Sequence, residues 1–203
     1  WTTGVLLALV VLIVMLVDWN VLREPIARRI SSATGRSVAV NGDLSVHLSW
    51  RPRIVANNVV FGNAAWSRDP AMAEIQRLEF TIDLFKLLMG QVEFPEVALF
   101  APHVLLEVSQ DGLPNWVFGE QDKNKSVDFP TIGMLTIDHG SVTYRDPNNR
   151  TELALDIRTL EDGKDDPQRK LEVAGKGRFK GLPTTLHARG GALLSLRRAE
   201  NPY

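Results

Sequence analysis

The chain of 203 residues contains no cysteine. That absence excludes disulfides, zinc–thiolate centres and thiol nucleophiles. An excess of either charge is missing too: 23 basic residues face 24 acidic ones, for a net charge of −1 and a pI near 6.5. No global basic field invites nucleic acid. Catalytic signatures are likewise absent, with no H-E-x-x-H and no G-x-S-x-G elbow. The four histidines, His47, His103, His139 and His187, include no two at metal-ligand spacing. Gly175-Lys-Gly-Arg-Phe-Lys-Gly181 has the wrong spacing for a dinucleotide loop and reads as a strand with glycine kinks. These absences point to a protein that is not an enzyme and needs no metal or cofactor.

Charge is also absent from the first seventeen residues, of which Val5 to Val17 form an unbroken apolar run. Seventeen helical residues rise roughly 26 Å, close to a hydrocarbon core of about 30 Å. Val5, Leu6, Leu7, Leu9, Val10, Val11, Leu12, Ile13, Val14, Met15, Leu16 and Val17 are the expected membrane-anchoring side chains, with Trp19 at the interface. A cleaved signal peptide needs small residues at its cleavage site, and Asp18-Trp19-Asn20-Val21 supplies none. A buried core helix would need protein on every side. Residues 1–19 therefore read as a retained transmembrane signal anchor. Arg23, Arg28, Arg29 and Arg36 follow it, which on a simple count places that side in the cytoplasm, but long domains cross regardless of flanking charge.

Residues 20–36 read as a juxtamembrane amphipathic helix. Pro25 suits its first turn and Gly35 its C-cap, while Ile26, Ile30 and Ala33 share a face. Such a helix either lies on lipid headgroups or plugs the end of the domain that follows.

From Ser37 the hydrophobic period changes to two. Strands are expected over Ser37–Val40, Leu44–Trp50, Val55–Phe61 and Ile75–Leu84, with a single helical turn at Phe85–Met89. Val92–Val108 reads as a hairpin bent at Ala101-Pro102-His103. Leu135 and Ile137, then Val142 and Tyr144, flank a bend at Asp138-His139-Gly140. Leu153, Leu155 and Ile157 alternate with polar residues, and two last strands flank Gly181-Leu182-Pro183. Phe94-x-x-Val97-x-Leu99 and Val104-x-Leu106 match Ile132-x-x-Leu135-x-Ile137 and Val142-x-Tyr144 at one constant offset, a weak internal repeat with His103 and His139 at its bends. The polar stretch Gly119–Asp128 reads as a surface loop or a junction between two β units, and Glu161–Arg169 as a second charged loop. The sum is a long antiparallel meander over 37–203 that continues beyond the last residue.

A sheet with one apolar face must bury it. A second sheet can do so, or the face can stay open for an apolar ligand. Alternation alone leans towards the closed sandwich.

The order of short motifs adds more. Asp18-Trp19-Asn20 is followed by Thr34-Gly35-Arg36, Val38-x-Val40-x-Gly42-Asp43-Leu44 and Asn58-Val-Val-Phe-Gly-Asn63. Ile75-x-x-Leu78 then leads to Asp83-Leu84, Pro95-x-Val97-x-Leu99-x-x-Pro102, Asp111-Gly112-x-Pro114-Asn115-Trp116 and Ile137-Asp138-His139-Gly140. No single motif is specific, but their succession resembles the N-terminal region of AsmA-family proteins of Gram-negative bacteria. The resemblance implies a single-pass inner-membrane protein with a cytoplasmic amino terminus and a periplasmic β domain, related to bridge-like lipid transfer proteins. It implies a sheet curved into an apolar groove for membrane phospholipid. It also implies a role in lipid transport to the outer membrane and its homeostasis, or in outer-membrane protein assembly through protein partners. The expected lining is Phe80, Ile82, Leu84, Val97, Leu99, Val104, Leu106, Leu135, Ile137, Val142, Tyr144, Leu153, Leu155 and Ile157.

Overall fold

The computed structural model describes residues 18–118, 131–160 and 170–191. The run Val5–Val17 lies outside these residues. Among those described, no helix is long and apolar enough to cross a membrane.

The chain enters through a 3-10 turn, Trp19–Leu22, capped by the Asp18 carboxylate, which accepts from the Asn20 amide at 3.0 Å. Helix α1, Arg23–Thr34, follows and ends on Gly35 in the left-handed region, whose N–H reaches Ser31 O at 2.9 Å. The face predicted to be apolar is not the one that docks. Ile26 and Ile30 are exposed, whereas Ala27 is buried. Arg23 and Ser31, one turn to either side of Ala27, bond Gly42 O and the Val38 amide. The small residue wins the contact because it lets the helix approach the strand edge. Trp19, half-buried, opens the entry turn.

Ten strands then form one sheet: β1 Val38–Val40, β2 Leu44–His47, β3 Arg53–Gly62, β4 Ala71–Thr81, β5 Glu93–Glu107, β6 Thr131–Asp138, β7 Gly140–Asp146, β8 Thr151–Leu160, β9 Lys170–Phe179 and β10 Leu182–Gly191. Helix α2, Leu84–Leu88, separates β4 from β5. The order is β1-β3-β4-β5-β7-β8-β9-β10, with β2 beside β1 along β3, and β6 beside β7 along β5. The sheet is not closed, and every described strand belongs to it, so the sandwich alternative is not met among these residues.

The expected all-antiparallel meander needs correction, because β6 and β7 both run parallel to β5. The predicted hairpin at Val92–Val108 is one continuous fifteen-residue strand. The repeat explains why. Phe94 pairs with Ile132, Val97 with Leu135, Leu99 with Ile137, Val104 with Val142 and Leu106 with Tyr144. The two similar segments are neighbours in parallel register, not two hairpins. A parallel neighbour needs a long crossover, and 23 residues separate the end of β5 at Glu107 from the start of β6 at Thr131.

The two supposed bends are left-handed residues inside continuous ladders. Asn58, Ala101 and His139 have φ of 51°, 43° and 51°. The β3–β4 and β4–β5 registers place Asn58 and Ala101 on either side of Gln76, and His139 beside Ala101. Along this line the side-chain alternation reverses. Ile54 and Ala56 therefore join Val59 in one apolar cluster, although even and odd positions should face apart. Leu44, Val40, Ile75 and Leu78 complete that cluster beneath the sheet edge where α1 docks.

Candidate functional site

Cross-strand partners share a face, so the register defines the apolar surface row by row. On the β2 side of the left-handed line, Val46, Ile54, Phe80, Val97 and Leu135 form one row, and Leu44, Ala56, Leu78, Leu99 and Ile137 the next. Beyond it, Val38, Phe61, Ala73, Val104, Val142, Leu155, Gly175 and Leu186 run across eight strands. The preceding row, Val40, Val59, Ile75, Pro102, Gly140, Ile157, Val173 and Ala188, is equally free of polar side chains. At about 4.8 Å per strand, eight strands give roughly 34 Å of apolar width.

The expected lining residues fall on this face with two exceptions. Strand β4 stops at Thr81, so Ile82 lies beyond it, and Leu84 opens α2. The Asp83 side chain ends the strand by capping that helix, accepting from the Phe85 and Lys86 amides. Phe80, Val97, Leu99, Val104, Leu106, Leu135, Ile137, Val142, Tyr144, Leu153, Leu155 and Ile157 are all half-buried, none of them sealed from solvent. Ile54, Phe61, Ile75, Leu78, Val173 and Leu186 share the face but escaped the sequence reading. Ile54 to Phe61 escaped because the reversal at Asn58 breaks the period of two. Val173 escaped because Gly175 and Gly177 dilute its strand, and Leu186 because its neighbour across the ladder is Gly175. Those glycines have a packing reason: a Cβ at Gly175 would sit 2.2 Å from Ala154 O, and one at Gly177 2.0 Å from Glu152 O.

One end of the face is strapped. After β5 the chain turns at Gly112, and Asn115 becomes fully buried. Its Nδ2 donates to Asn63 Oδ1 at 3.0 Å and Leu105 O at 2.8 Å, while its Oδ1 accepts from the Glu107 amide. Arg36 Nη2 donates to Asn115 O and Val117 O. This fixes Trp116 against Tyr144, with ring centroids 6.2 Å apart, and Phe118 edge-on to Phe61 at 5.4 Å. The apolar surface therefore has an aromatic stop at the β3–β5–β7 end.

The opposite face is polar. Glu74, His103, Ser141, Asp156, Ala174 and His187 form one row there, and His103 Nδ1 lies 2.6 Å from Ser141 Oγ. His103 thus matches Ser141 in the repeat, and His139 matches Ala101. Further along, buried Glu172 receives Arg158, Arg189 and His187. Hydrogen bonds from Arg158, then Arg189, hold its carboxyl down at about 2. Burial and the Asp146 carboxylate raise the Tyr144 hydroxyl above its ordinary value. The cleft of about 620 Å³ between α1 and β1 has a mixed lining, with Arg23, Glu24, Arg28 and Ser31 beside Ala27, Val38 and Val40.

The family model described as the AsmA family matches residues 1–187. The chain belongs to the AsmA family. It is 24% identical to "AsmA family protein YhjG" of Escherichia coli (strain K12), across 99% of this chain and 35% of that protein. It thus spans about a third of the length of the curated relative it matches. No solved structure matches it. Membership suggests a role in membrane or lipid-related processes.

Proposed function

We propose that this segment holds phospholipid acyl chains on its open apolar face while attached to the inner membrane through Val5–Val17. The β domain then lies in the periplasm and the amino terminus in the cytoplasm. The observation that carries the reading is the pair of unbroken apolar rows across eight strands, largely half-buried and without a second described sheet above them. Each methylene transferred from water to such a surface is worth about 0.8 kcal/mol, so an acyl chain binds without any specific polar contact. The strap at Trp116 and Phe118 sets one end of the track. Passage of lipid to the outer membrane, or help to outer-membrane assembly through a protein partner, is the wider process that such binding would serve.

The test is extraction and mass spectrometry of lipid from full-chain protein exchanged out of detergent into a lipid-free polymer. Co-purifying phospholipid in stoichiometric amount, lost on substitution of Val142 and Leu155 by Asp, supports the reading. Lipid-free protein of unchanged stability overturns it.

A further inference from the structure

We infer that the tip formed by the β2–β3 turn and α2 is a second membrane contact, seated in the headgroup region of the bilayer that holds the N-terminal apolar run. Leu48, Trp50, Phe85, Leu88, Met89 and Val92 are all exposed there, Trp50 at 81% and Leu88 at 86%. They come from two segments held as one unit. The Ile82 amide donates to Pro52 O at 3.2 Å, and the Trp50 and Phe85 rings stack with centroids 6.2 Å apart and planes 10° from parallel. Asp83 caps α2, and Lys86 pairs with Glu93 across its base. An exposed apolar cluster of this size, built on fixed elements, marks an interaction surface.

Two observations select a bilayer as the occupant. The first is charge. Asp83 and Glu93, the acidic groups beside α2, are engaged in the cap and the Lys86 pair; Arg51 and Arg53 stand exposed at the rim, and exposed Glu96 lies further off, across Thr81 from Arg53. A protruding Trp, Phe, Leu and Met group with two arginines at its rim suits anionic headgroups above an acyl boundary.

The second is where the chain enters. Asn20 Oδ1 accepts from the Leu44 amide, and β2 runs from Leu44 at the level of Ala56 to His47 at the level of Arg53, about 10 Å closer to the tip. Helix α1 runs the other way, from Arg23 on Gly42 O to Ser31 on the Val38 amide. The apolar run that precedes Asp18 therefore joins the domain on the tip side, and Val21 and Leu22 are exposed at that junction. Two contacts with one bilayer fix the sheet's tilt. They also bring the row Val46–Ile54–Phe80–Val97–Leu135, the unstrapped end of the apolar face, to the lipid surface. The inference rests on membrane attachment of the chain, not on what fills the face.

The absence of cysteine makes the test simple. Leu88→Cys, and Thr185→Cys on β10 as the distant control, each carry one nitrobenzoxadiazole label in the full chain. The labelled protein is reconstituted in vesicles of phosphatidylethanolamine and phosphatidylglycerol. In protein that floats with the vesicles, the label at 88 is expected to be quenched several-fold less by aqueous iodide than the label at 185, and to be dimmed by doxyl-labelled lipid. Arg51→Glu with Arg53→Glu should restore iodide access at 88 without stopping flotation. Equal iodide quenching at the two positions in floated protein overturns the inference and leaves the tip to a protein partner. Failure to float removes the attachment and the inference with it. Extracted lipid, measured separately, reports on the apolar face alone.

Discussion

Ala101 and His139 stand side by side in parallel strands, and both hold a positive φ, 43° and 51°. A left-handed conformation costs a non-glycine residue roughly 1–2 kcal/mol. Here it is repeated at Asn58, on the far side of Gln76, and the three reverse the side-chain alternation along one line. The reversal keeps Leu99 and Val104 on the same face. Ala101→Gly should therefore stabilise by about 0.5–1 kcal/mol, as relief of the φ penalty exceeds the added chain entropy. Ala101→Val should destabilise by about 2 kcal/mol or more, because a β-branched side chain fits this region worst. Urea unfolding of both variants measures the difference. Equal stability of the two would mean that the strand does not depend on the left-handed residue.

Much of the sheet was legible because half-exposed strands keep their period of two. Leu153, Leu155 and Ile157 show it without a break. The repeat was legible as well, but its meaning was not. Equal motifs at one offset fit two successive hairpins or two parallel neighbours, and only the long crossover distinguishes them. Ala101-Pro102-His103 looked like a bend because proline and a broken period mark turns. In β5 Pro102 stands in the continuous strand opposite Ile75, next to the left-handed Ala101. The strap at Asn115 left no periodic trace, since its role lies in one buried amide and not in a pattern.

That amide carries the second prediction. Asn115→Ala removes the side-chain partner of the Glu107 amide and Leu105 O at a part-buried site, while Asn63 Oδ1 keeps only the Ala64 amide. A loss of about 2–4 kcal/mol is expected, with red-shifted emission from Trp116 as it leaves Tyr144. Asn115→Asp should lose at least as much, because its carboxylate would face two acceptors, Leu105 O and Asn63 Oδ1. Chemical denaturation followed by tryptophan fluorescence reports both effects.

The third prediction concerns acid. The Glu172 carboxyl is lowered from 4.5 to about 2, chiefly by hydrogen bonds from Arg158 and then Arg189. A depressed folded-state value means that its contribution is complete above the unfolded value of 4.5 and fades as pH falls towards 2. Wild type should therefore melt above Glu172→Gln at neutral pH, and the gap should shrink across this window. Added salt should narrow the neutral-pH gap, as it screens the two guanidinium groups, Arg158 and Arg189, left facing each other. Melting curves from neutral pH to pH 2 test it. A gap that stays constant through the window would show that Glu172 acts through shape and not charge.

The last prediction separates an open face from a sealed one. Leu155 lies between Val142 and Gly175 in the eight-strand row, half-buried, while Asp156 points the other way beside Ser141 and Ala174. An unpaired carboxylate in a sealed core costs several kcal/mol. On a face that water reaches, Leu155→Asp forfeits only part of one leucine's burial, about 1–2 kcal/mol. The fold should survive, with a modestly lowered melting temperature, while co-purifying lipid falls. Asp156→Leu should change stability by less than about 0.5 kcal/mol and leave the lipid load intact. If Leu155→Asp abolishes folding, the face is covered and not open. If it melts normally and keeps its full lipid load, Leu155 does not line the site, and the row built on Val104, Val142 and Leu155 is not where acyl chains bind.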